Sequence, residues 1–411
     1  MTNNKQQTTI NIPAPLLSSE ENSFAYYTFT SRLPIIIEQV IAANNFSPAI
    51  LEKLNKLKAG LLVELVHPID DQGPDIIDWK DYLQPFLGKP LIELPFYFAE
   101  VYLYRRLLAI TEYFASPTAE AIDPFESQKR HSLAKAITSI RQVSIKLENF
   151  PTLSAERNEQ WQLALRHLLY LNLWGNRMDL SFAPKEVGKL EQQVLDPKLK
   201  QSQIILDDTG LIVDKISSFH HNRIDFIVDN SGFELVSDLF VIDFLLASNA
   251  AEVVCLHLKS HPIFVSDAMI KDVHYTLDFL ANDKDATVKA LGMRLQKYLA
   301  SGRLILTDHL FWTAPLFFRD MPEALQQELS QSDLVFIKGD ANYRRLVGDY
   351  HWPQNSDFQN IVSYFPSALT VLRTIKSEVM VELQQHQIDD LNHRDSHWLT
   401  NGKWGLIQFR W

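Results

Sequence analysis

Apolar residues in the first half of the chain recur at three- and four-residue spacing. The segments RLPIIIEQVIAA, FYFAEVYLYRRLLAITEYF and NEQWQLALRHLLYLNLWGN are examples. Such spacing gathers apolar side chains on one face of an α-helix. We therefore predict a mostly helical region from about Ser23 to about Leu180.

After about Lys200 the pattern changes to short apolar runs that alternate with helical patterns. The runs typical of strands are RIDFIVD, EVVCLHLK, RLILTD, DLVFIKGD, ALTVLRTIK and KWGLIQF. This alternation predicts an α/β fold whose mostly parallel central sheet carries helices on its faces. We expect a flexible N-terminus over 1–20, a helical N-terminal region over 21–200 and an α/β domain over 201–411.

The composition is that of a soluble globular protein, and it narrows the class of partner. The 411 residues are 46% apolar and 22% charged, which is enough to bury more than one core. The net charge of −11 disfavours nucleic acid and anionic membranes as partners. The single cysteine, Cys255, excludes an intrachain disulfide and fits a reducing compartment. Because neither a secretory signal nor an apolar stretch of membrane-spanning length is present, we expect a cytoplasmic protein.

The spacing of the 13 glycines excludes three motifs that bind phosphate or carry a nucleophile. No two glycines lie two, four or five positions apart. A GxGxxG dinucleotide turn, a GxSxG nucleophile elbow and a Walker-type phosphate loop each need one of these separations. The chain also lacks an HExxH helix, an EF-hand loop and a cysteine-built zinc site. A metal ion would therefore need scattered oxygen or imidazole ligands.

Polar side chains gather where the predicted strands end. In parallel sheets, ligands bind at the carboxyl ends of the strands, near a switch in strand order. Oxygen ligands and cations follow five of the apolar runs in turn: Asp229 with Asn230, Asp267, Asp308 with His309, Asp340, and Arg373 with Lys376.

Asp229, Asn230 and Asp267 form a set of hard oxygen donors. Two carboxylates and one amide carbonyl suit Mg²⁺, Mn²⁺ or a similar divalent ion that keeps open positions for water and substrate. The alternative is that Asn230 or Ser231 and Asp267 cap the helices that follow. The spacing leaves both interpretations open.

Cations end two of the apolar runs. Lys338 leaves a buried run and needs a compensating partner. Arg373 and Lys376 would together neutralise a phosphoryl group, because arginine offers a bidentate fork and lysine a compact charge. A static salt-bridge network with Asp340 or Glu378 explains these two cations equally well.

The helical half offers weaker candidates. Glu100 and Arg105 lie in an apolar helix pattern, and NLWGNRMDLS places Asn176 near the end of another helix. These residues would enclose one side of a site. Alternatively, Glu100 and Arg105 would form a buried ion pair, and the segment around Asn176 would be the end of a helix. We interpret His220 and His221, which precede the first strand, as surface residues.

Several ordered segments resemble the metal-dependent damage-control phosphatase family. The resemblance is greatest to its subfamily with an Arg-Thr-x-Lys motif, also called acidic-residue methyltransferase-like, and that motif is here Arg373 to Lys376. The segments are VDNSGFELVSDL, HPIFVSD, DHLFWTAP, SDLVFIKGDANYRRLVGD, LRTIKSEV and HWLTNGKWGLIQF, with SFAYYTFTSRLP, FAEVYLYRR and NLWGNRMDLS in the helical half.

The resemblance implies a helical N-terminal region packed on an α/β/α sandwich that forms the metal-binding catalytic domain. It implies a divalent metal (Mn²⁺, Co²⁺, Ni²⁺ or Mg²⁺) on Asp229, Asn230 and Asp267, and hydrolysis of small phosphorylated metabolites such as fructose 1-phosphate. It also implies substrate contacts from the following residues: Glu234, Gly339, Asp340, Ala341, Asn342, Tyr343 and Lys376.

From these residues we expect a metal-dependent phosphomonoesterase. Asp229 and Asp267 would hold the ion that activates a water, and Lys376, with Lys338 or Arg373, would offset phosphoryl charge. Asp340 would orient sugar hydroxyls or assist proton transfer. Asn176 is a further candidate substrate contact.

Two other functions remain as alternatives. One is an S-adenosylmethionine-dependent protein carboxyl methyltransferase, an activity assigned to one subgroup of the family; the absence of closely spaced glycines after the first strand disfavours it. The other is a binding protein that has lost turnover. The sequence carries no sign of oligomeric state.

Overall fold

A computed structural model of the chain describes residues 10–115, 122–147, 157–179 and 202–411, without the side chains of residues 176–179. It has a seven-stranded, mostly parallel sheet with helices packed on both faces. The α/β fold class predicted from the sequence is confirmed. Among the described helices, none combines the length and apolar character needed to cross a membrane.

The first half of the described chain is helical, as the apolar spacing predicts. Its first two helices are joined by a π-helical turn, Thr28–Arg32. The helices are α1 (Phe24–Tyr27), α2 (Leu33–Ala43), α3 (Pro48–Gly60), α4 (Ile76–Leu83), α5 (Phe96–Ile110), α6 (Glu126–Lys135), α7 (Ile137–Leu147) and α8 (Glu159–Asp179).

The second half alternates strands and helices. The strands are β1 (Ile204–Asp207), β2 (Asn222–Ile227), β3 (Ala251–Leu258), β4 (Leu304–Asp308), β5 (Leu334–Lys338), β6 (Leu369–Thr374) and β7 (Gly405–Arg410). The helices are α9 (Thr209–Ser217), α10 (Phe233–Ala247), α11 (Ile270–Ala281), α12 (Ala286–Ala300), α13 (Glu323–Leu329), α14 (Gly339–Val347), α15 (Phe358–Ile361) and α16 (Gln385–Arg394). The six predicted apolar runs correspond to β2 through β7, whereas β1 is a four-residue strand outside them.

The strand order is β1-β7-β6-β5-β2-β3-β4. Strands β2 to β6 run parallel, and β7 runs antiparallel to β6. After β2 the chain adds β3 and β4 on one side, and it then returns to place β5 on the other side. The switch point of the sheet therefore lies between the carboxyl ends of β2 and β5, where ligands bind in folds of this class.

The sheet separates two hydrophobic cores. Along β5, Val335 and Ile337 face the core built with α1 to α5, whereas Leu334 and Phe336 face the core built with α8, α10 and α12. This alternation follows from the two-residue period of a strand. All four side chains are buried, which explains the continuous apolar runs in the sequence.

Gly339 allows β2 and β5 to approach each other at the switch point. Its φ is +83°, a backbone conformation that residues with a Cβ rarely adopt. A Cβ atom at this position would also overlap the carboxyl group of Asp229, which follows β2. Glycine is therefore required here for two separate reasons.

We expect Gly339→Ala to lower the free energy of unfolding by about 2 kcal/mol more than Gly302→Ala does. Gly302 has a φ of +74°, and no heavy atom lies within 4 Å of the place that a Cβ would occupy, so its replacement carries the backbone strain alone. Urea unfolding of both variants measures the difference. Equal losses would show that the close approach of Asp229 is unimportant for stability.

Candidate functional site

The main chain brings the three predicted metal ligands to one place. The segment after β2 pairs in antiparallel fashion with the segment before α11, so that Asn230 lies opposite Asp267. In this pairing the Ala268 N–H donates a hydrogen bond of 2.8 Å to the Asp229 carbonyl oxygen. Residues that are remote in the chain therefore meet at the switch point of the sheet.

The two carboxylates of this set are buried, Asn230 is partly buried, and the three side chains are connected. Asp229 is 5% exposed and Asp267 is 1% exposed. The Asn230 amide donates to Asp229 Oδ2 at 2.8 Å and to Glu234 Oε2 at 2.9 Å. The Ser266 hydroxyl donates to Asn230 Oδ1 at 2.5 Å. Asp229 Oδ1 is buried without a hydrogen-bond partner among the described residues. This oxygen is therefore available to coordinate a metal ion or to accept a hydrogen bond from a ligand.

The electrostatics of the two carboxylates favour a bound cation. Burial, with the negative charges of Asp267 and Glu234, raises the pKa of Asp229 well above its usual range. Burial likewise raises the pKa of Asp267 to about 6, against the opposing effect of Lys259. Because close buried carboxylates repel one another, a divalent cation would stabilise both in their charged form. The donor set fits an oxygen-bound divalent metal.

Lys259 is a site residue that the sequence reasoning missed. Its ammonium lies 3.4 Å from Asp267 Oδ2 and 3.4 Å from Asn342 Oδ1. It directly follows β3 and is 3% exposed. The available signal is its place at the end of the apolar run EVVCLHLK, which matches that of Lys338 at the end of β5.

Lys338 has the buried partner that its position requires. Its ammonium lies 2.8 Å from Asp238 Oδ1 and 3.8 Å from Glu234 Oε1. Asn342, fully buried, donates to the Val228 carbonyl oxygen at 3.2 Å and accepts from Lys259. Lys338 therefore ties the end of β5 to α10, and Asn342 joins the segments that follow β2 and β3.

Arg373 forms the ion pair that the sequence left open as one alternative. Its guanidinium lies 2.7 Å from Asp340 Oδ1, donates to the Val379 carbonyl oxygen at 2.6 Å and stacks 4.2 Å from the centre of the Tyr343 ring. The Lys376 N–H also donates to Asp340 Oδ1, at 3.0 Å. Arg373 thus fixes Asp340 and the loop that carries Lys376.

Asp340 is held in its ionised form. Burial raises its pKa, but the charge of Arg373, supported by Arg344 and the Lys376 N–H, outweighs this effect and lowers it below the usual value. An ionised carboxylate accepts hydrogen bonds and cannot donate a proton. Of the two roles open to Asp340, this environment favours the orientation of substrate hydroxyls.

Lys376 faces the acidic groups. Burial lowers the pKa of its ammonium, whereas the carboxylates of Glu234, Asp229 and Asp340 act to raise it. Its aliphatic stem lies 3.8 Å from the position of a Cβ on Gly402. The C-terminal segment therefore supports this lysine beside the candidate metal ligands.

Other predicted residues are distributed as follows. Ala341 lies beside Asp340 and is partly buried, and the side chain of Asn176 lies outside the described residues. Asp308 and His309 are exposed, and His309 caps a 3₁₀ turn by accepting from the Phe311 N–H at 2.9 Å. Asp308 ends the edge strand β4 and His309 follows it, two strands away from the switch point.

The candidates of the helical half form ion pairs, and the paired histidines are exposed. Glu100 lies 3.0 Å from Arg344. Arg105 lies 2.5 Å from Asp71 and 2.8 Å from Asp75. His220 and His221 are exposed, as expected.

A second set of donor atoms lies deeper in the sheet. One ligand atom from each of Asp225, Cys255 and His257 lies within 4.8 Å of the others. Arg223, however, donates to both oxygens of Asp225, at 2.8 and 2.7 Å. Burial raises the pKa of the Cys255 thiol to about 12, which opposes the thiolate that a metal would need. This set is therefore less suited to a metal than the set at the switch point.

Comparisons with known proteins agree with one another. Residues 28–391 match the damage-control phosphatase ARMT1-like domain. Damage-control phosphatase ARMT1 of Mus musculus is 32% identical over 434 residues, which cover 97% of this chain and 98% of the relative. The Homo sapiens protein of the same name is 30% identical over 438 residues, with 97% and 98% covered.

A solved structure is also similar. The crystal structure of a DUF89 family protein from Pyrococcus horikoshii is 14% identical, covers 93% of this chain and 95% of that chain, and has a TM-score of 0.49. The family match and the full-length relatives carry the conclusion. The chain belongs to the damage-control phosphatase ARMT1-like family, and it is a phosphatase.

Proposed function

We propose that the chain hydrolyses small phosphate monoesters with the help of a divalent metal held by Asp229, Asn230 and Asp267. The substrates would be phosphorylated metabolites, including sugar phosphates such as fructose 1-phosphate, and the metal Mn²⁺, Co²⁺, Ni²⁺ or Mg²⁺. The observation that carries the proposal is the unpartnered, buried Asp229 Oδ1 beside a second buried carboxylate at the switch point. A family whose members are named damage-control phosphatases supports it.

The protein groups divide the work of binding and orientation. The metal, when bound, supplies Lewis-acid activation of the phosphoryl group. Asp229 and Asp267 bind the ion, and Lys259 holds Asp267 by its 3.4 Å contact. The Asn230 amide nitrogen donates to Glu234 and Asp229, and its carbonyl oxygen accepts from Ser266, so this oxygen would exchange its Ser266 partner for the ion.

The opposite side of the site binds the substrate. Lys376 offsets the charge of the transferring phosphoryl group. Asp340, ionised and fixed by Arg373, accepts hydrogen bonds from sugar hydroxyls. Gly339 and Ala341 border Asp340, and Tyr343 supports Arg373 from behind. In this assignment Lys338 and Asn342 do not contact the phosphoryl group; they stabilise the positions of Glu234 and Lys259 at the site.

The proposal extends to domain roles and location. Residues 201–411 carry the catalytic groups, and the helical region over 21–200 closes one side of the site, as the contact between Glu100 and Arg344 supports. The single, buried cysteine is compatible with the reducing cytoplasm. A cytoplasmic enzyme of this kind would remove unwanted phosphorylated metabolites.

Removal of the metal should abolish phosphate release. We expect chelator-treated protein to be inactive on fructose 1-phosphate and Mn²⁺ or Co²⁺ to restore activity. Asp229→Ala should lower kcat/KM by more than about 100-fold, because the ion loses a ligand. Cys255→Ala, in the deeper donor set, is the matched control and should retain activity. Full activity of Asp229→Ala would refute the metal assignment.

Metal affinity should increase with pH. The pKa of Asp267, raised to about 6 in the folded metal-free protein, means that a proton must leave before the ion binds. Below about pH 6 the apparent Mn²⁺ Kd should therefore increase by about tenfold per pH unit from Asp267 alone, and more steeply where Asp229, whose pKa is also raised, must lose a proton too. Calorimetry between about pH 5 and about pH 7 measures this effect. A pH-independent Kd would contradict the proposed coordination by Asp267.

Lys376→Ala should lower kcat/KM by about 100-fold or more while the protein remains folded, because the phosphoryl group loses its counter-charge. Lys403→Ala removes an exposed lysine from the neighbouring segment and should have no effect. Steady-state kinetics with urea unfolding as the folding control test both variants. Unchanged kinetics in Lys376→Ala would remove this lysine from the site.

A further inference from the structure

The π-helical turn between α1 and α2 ends at Arg32. Short π-helical segments occur frequently at functional sites. Arg32 is partly buried, and its guanidinium lies 5.0 Å from the centre of the Phe24 ring. Its Nη1 atom is 3.4 Å from Thr28 Oγ1. The turn thus presents an arginine with weak local contacts.

No carboxylate in the described part of the chain forms an ion pair with Arg32. The buried arginines near the site are better satisfied: Arg344 lies 3.0 Å from Glu100 and Arg373 lies 2.7 Å from Asp340. Arg345 has no carboxylate partner among the described residues, but it donates to three main-chain carbonyl oxygens. A cation that is withdrawn from water without a counter-charge is unfavourable unless it serves a ligand. The guanidinium of Arg32 is therefore able to bind an anionic ligand.

Two contacts made by residues around Arg32 connect its surroundings to the candidate site. The N–H of Phe24, on which the guanidinium stacks, donates to Glu378 Oε1 at 2.7 Å, and Glu378 follows Lys376 by two residues. On the other side, Tyr104 packs 5.2 Å from Phe264 in the loop that leads to Asp267.

The positive charge of Arg32 affects the pKa of a residue on each of these two sides, Lys376 and Tyr104. It adds to the effect of burial in lowering the pKa of Lys376, and it opposes the burial that raises the pKa of Tyr104. Arg32 is thus close enough to Lys376 and to Tyr104 to act on both electrostatically.

The balance of charge indicates the ligand. The charged groups around the candidate ligands, leaving aside Arg344 with its partners Glu100 and Asp349, are five carboxylates and four cations. They are Asp229, Glu234, Asp238, Asp267 and Asp340, with Lys259, Lys338, Arg373 and Lys376. A divalent metal and a phosphate dianion cancel each other. One negative charge is then left over when all groups are ionised, and the charge of Arg32 balances it.

We propose that Arg32 is a substrate-binding residue that selects dianionic phosphate monoesters, and that its guanidinium binds phosphate oxygens from the helical side of the site. This inference rests on the proposed function. Arginine is suited to the role because its planar fork donates two parallel hydrogen bonds to a phosphate. A diester, with one charge fewer, gains less from the contact.

The test compares Arg32→Gln and Arg32→Lys with Arg106→Gln in the Mn²⁺-loaded protein. Arg106, in the same helical region, pairs with Glu64 at 3.3 Å and is the matched control. Calorimetry gives the Kd of inorganic phosphate. Kinetics give KM and kcat for p-nitrophenyl phosphate and for its methyl diester.

We expect Arg32→Gln to raise the phosphate Kd and the monoester KM by about tenfold or more, with a much smaller change in kcat and in the diester KM. Arg32→Lys should recover part of the loss, because it restores the charge without the fork. Arg106→Gln should match the wild type.

Three results would overturn the inference: an unchanged phosphate Kd in Arg32→Gln, an equal loss for monoester and diester, or an equal loss in Arg106→Gln. A wild-type protein that binds phosphate but releases none from esters would refute the proposed function alone, since the Kd of the variant still decides the role of Arg32. A wild-type protein that does not bind phosphate would refute both.

Discussion

The antiparallel pairing between the segment after β2 and the segment before α11 determines the rest of the site. It places Asn230 opposite Asp267 and, through the Ala268 N–H, fixes Asp229 beside them. Backbone hydrogen bonds made in a buried setting are costly to break, because each group would lose its partner without gaining water. The position of the candidate ligands is therefore set by main-chain geometry. Of their side chains, Asn230 must turn to bind an ion through its oxygen, because its amide nitrogen faces Asp229 and its carbonyl oxygen accepts from Ser266.

The second constraint is charge. The buried carboxylates at the switch point are tolerated because Lys259, Lys338 and Lys376 lie around them and because Arg373 neutralises Asp340. Raised pKa values at Asp229 and Asp267 show that this compensation is incomplete in the metal-free protein. Functional sites commonly retain such unfavourable charge, since it becomes favourable when the ligand binds.

The sequence predicts the parts of the molecule that depend on periodicity and on parallel-sheet geometry. Continuous apolar runs identify β2 to β7, and because parallel strands share a carboxyl edge, the residues after those runs include Asp229, Asp267 and Asp340. The same rule includes Asp308 and His309, which are remote because β4 lies at the edge of the sheet. Strand order, which separates these cases, is a long-range property that local pattern does not contain.

Other features depend on contacts that no local pattern reveals. Lys259 has the same position at a strand end as Lys338, but only the packed structure shows that it lies beside Asp267. Arg32 lies more than 300 residues before Lys376 in the chain, and only the packing of the helical region on the sheet brings it close enough to act on that lysine.

The most direct measurement for the account is anomalous diffraction from crystals of the protein soaked in Mn²⁺. We expect one strong manganese peak within bonding distance of oxygens from Asp229, Asn230 and Asp267. A peak at Asp225, Cys255 and His257 instead, or no peak at the switch point under conditions in which the enzyme is active, would contradict it.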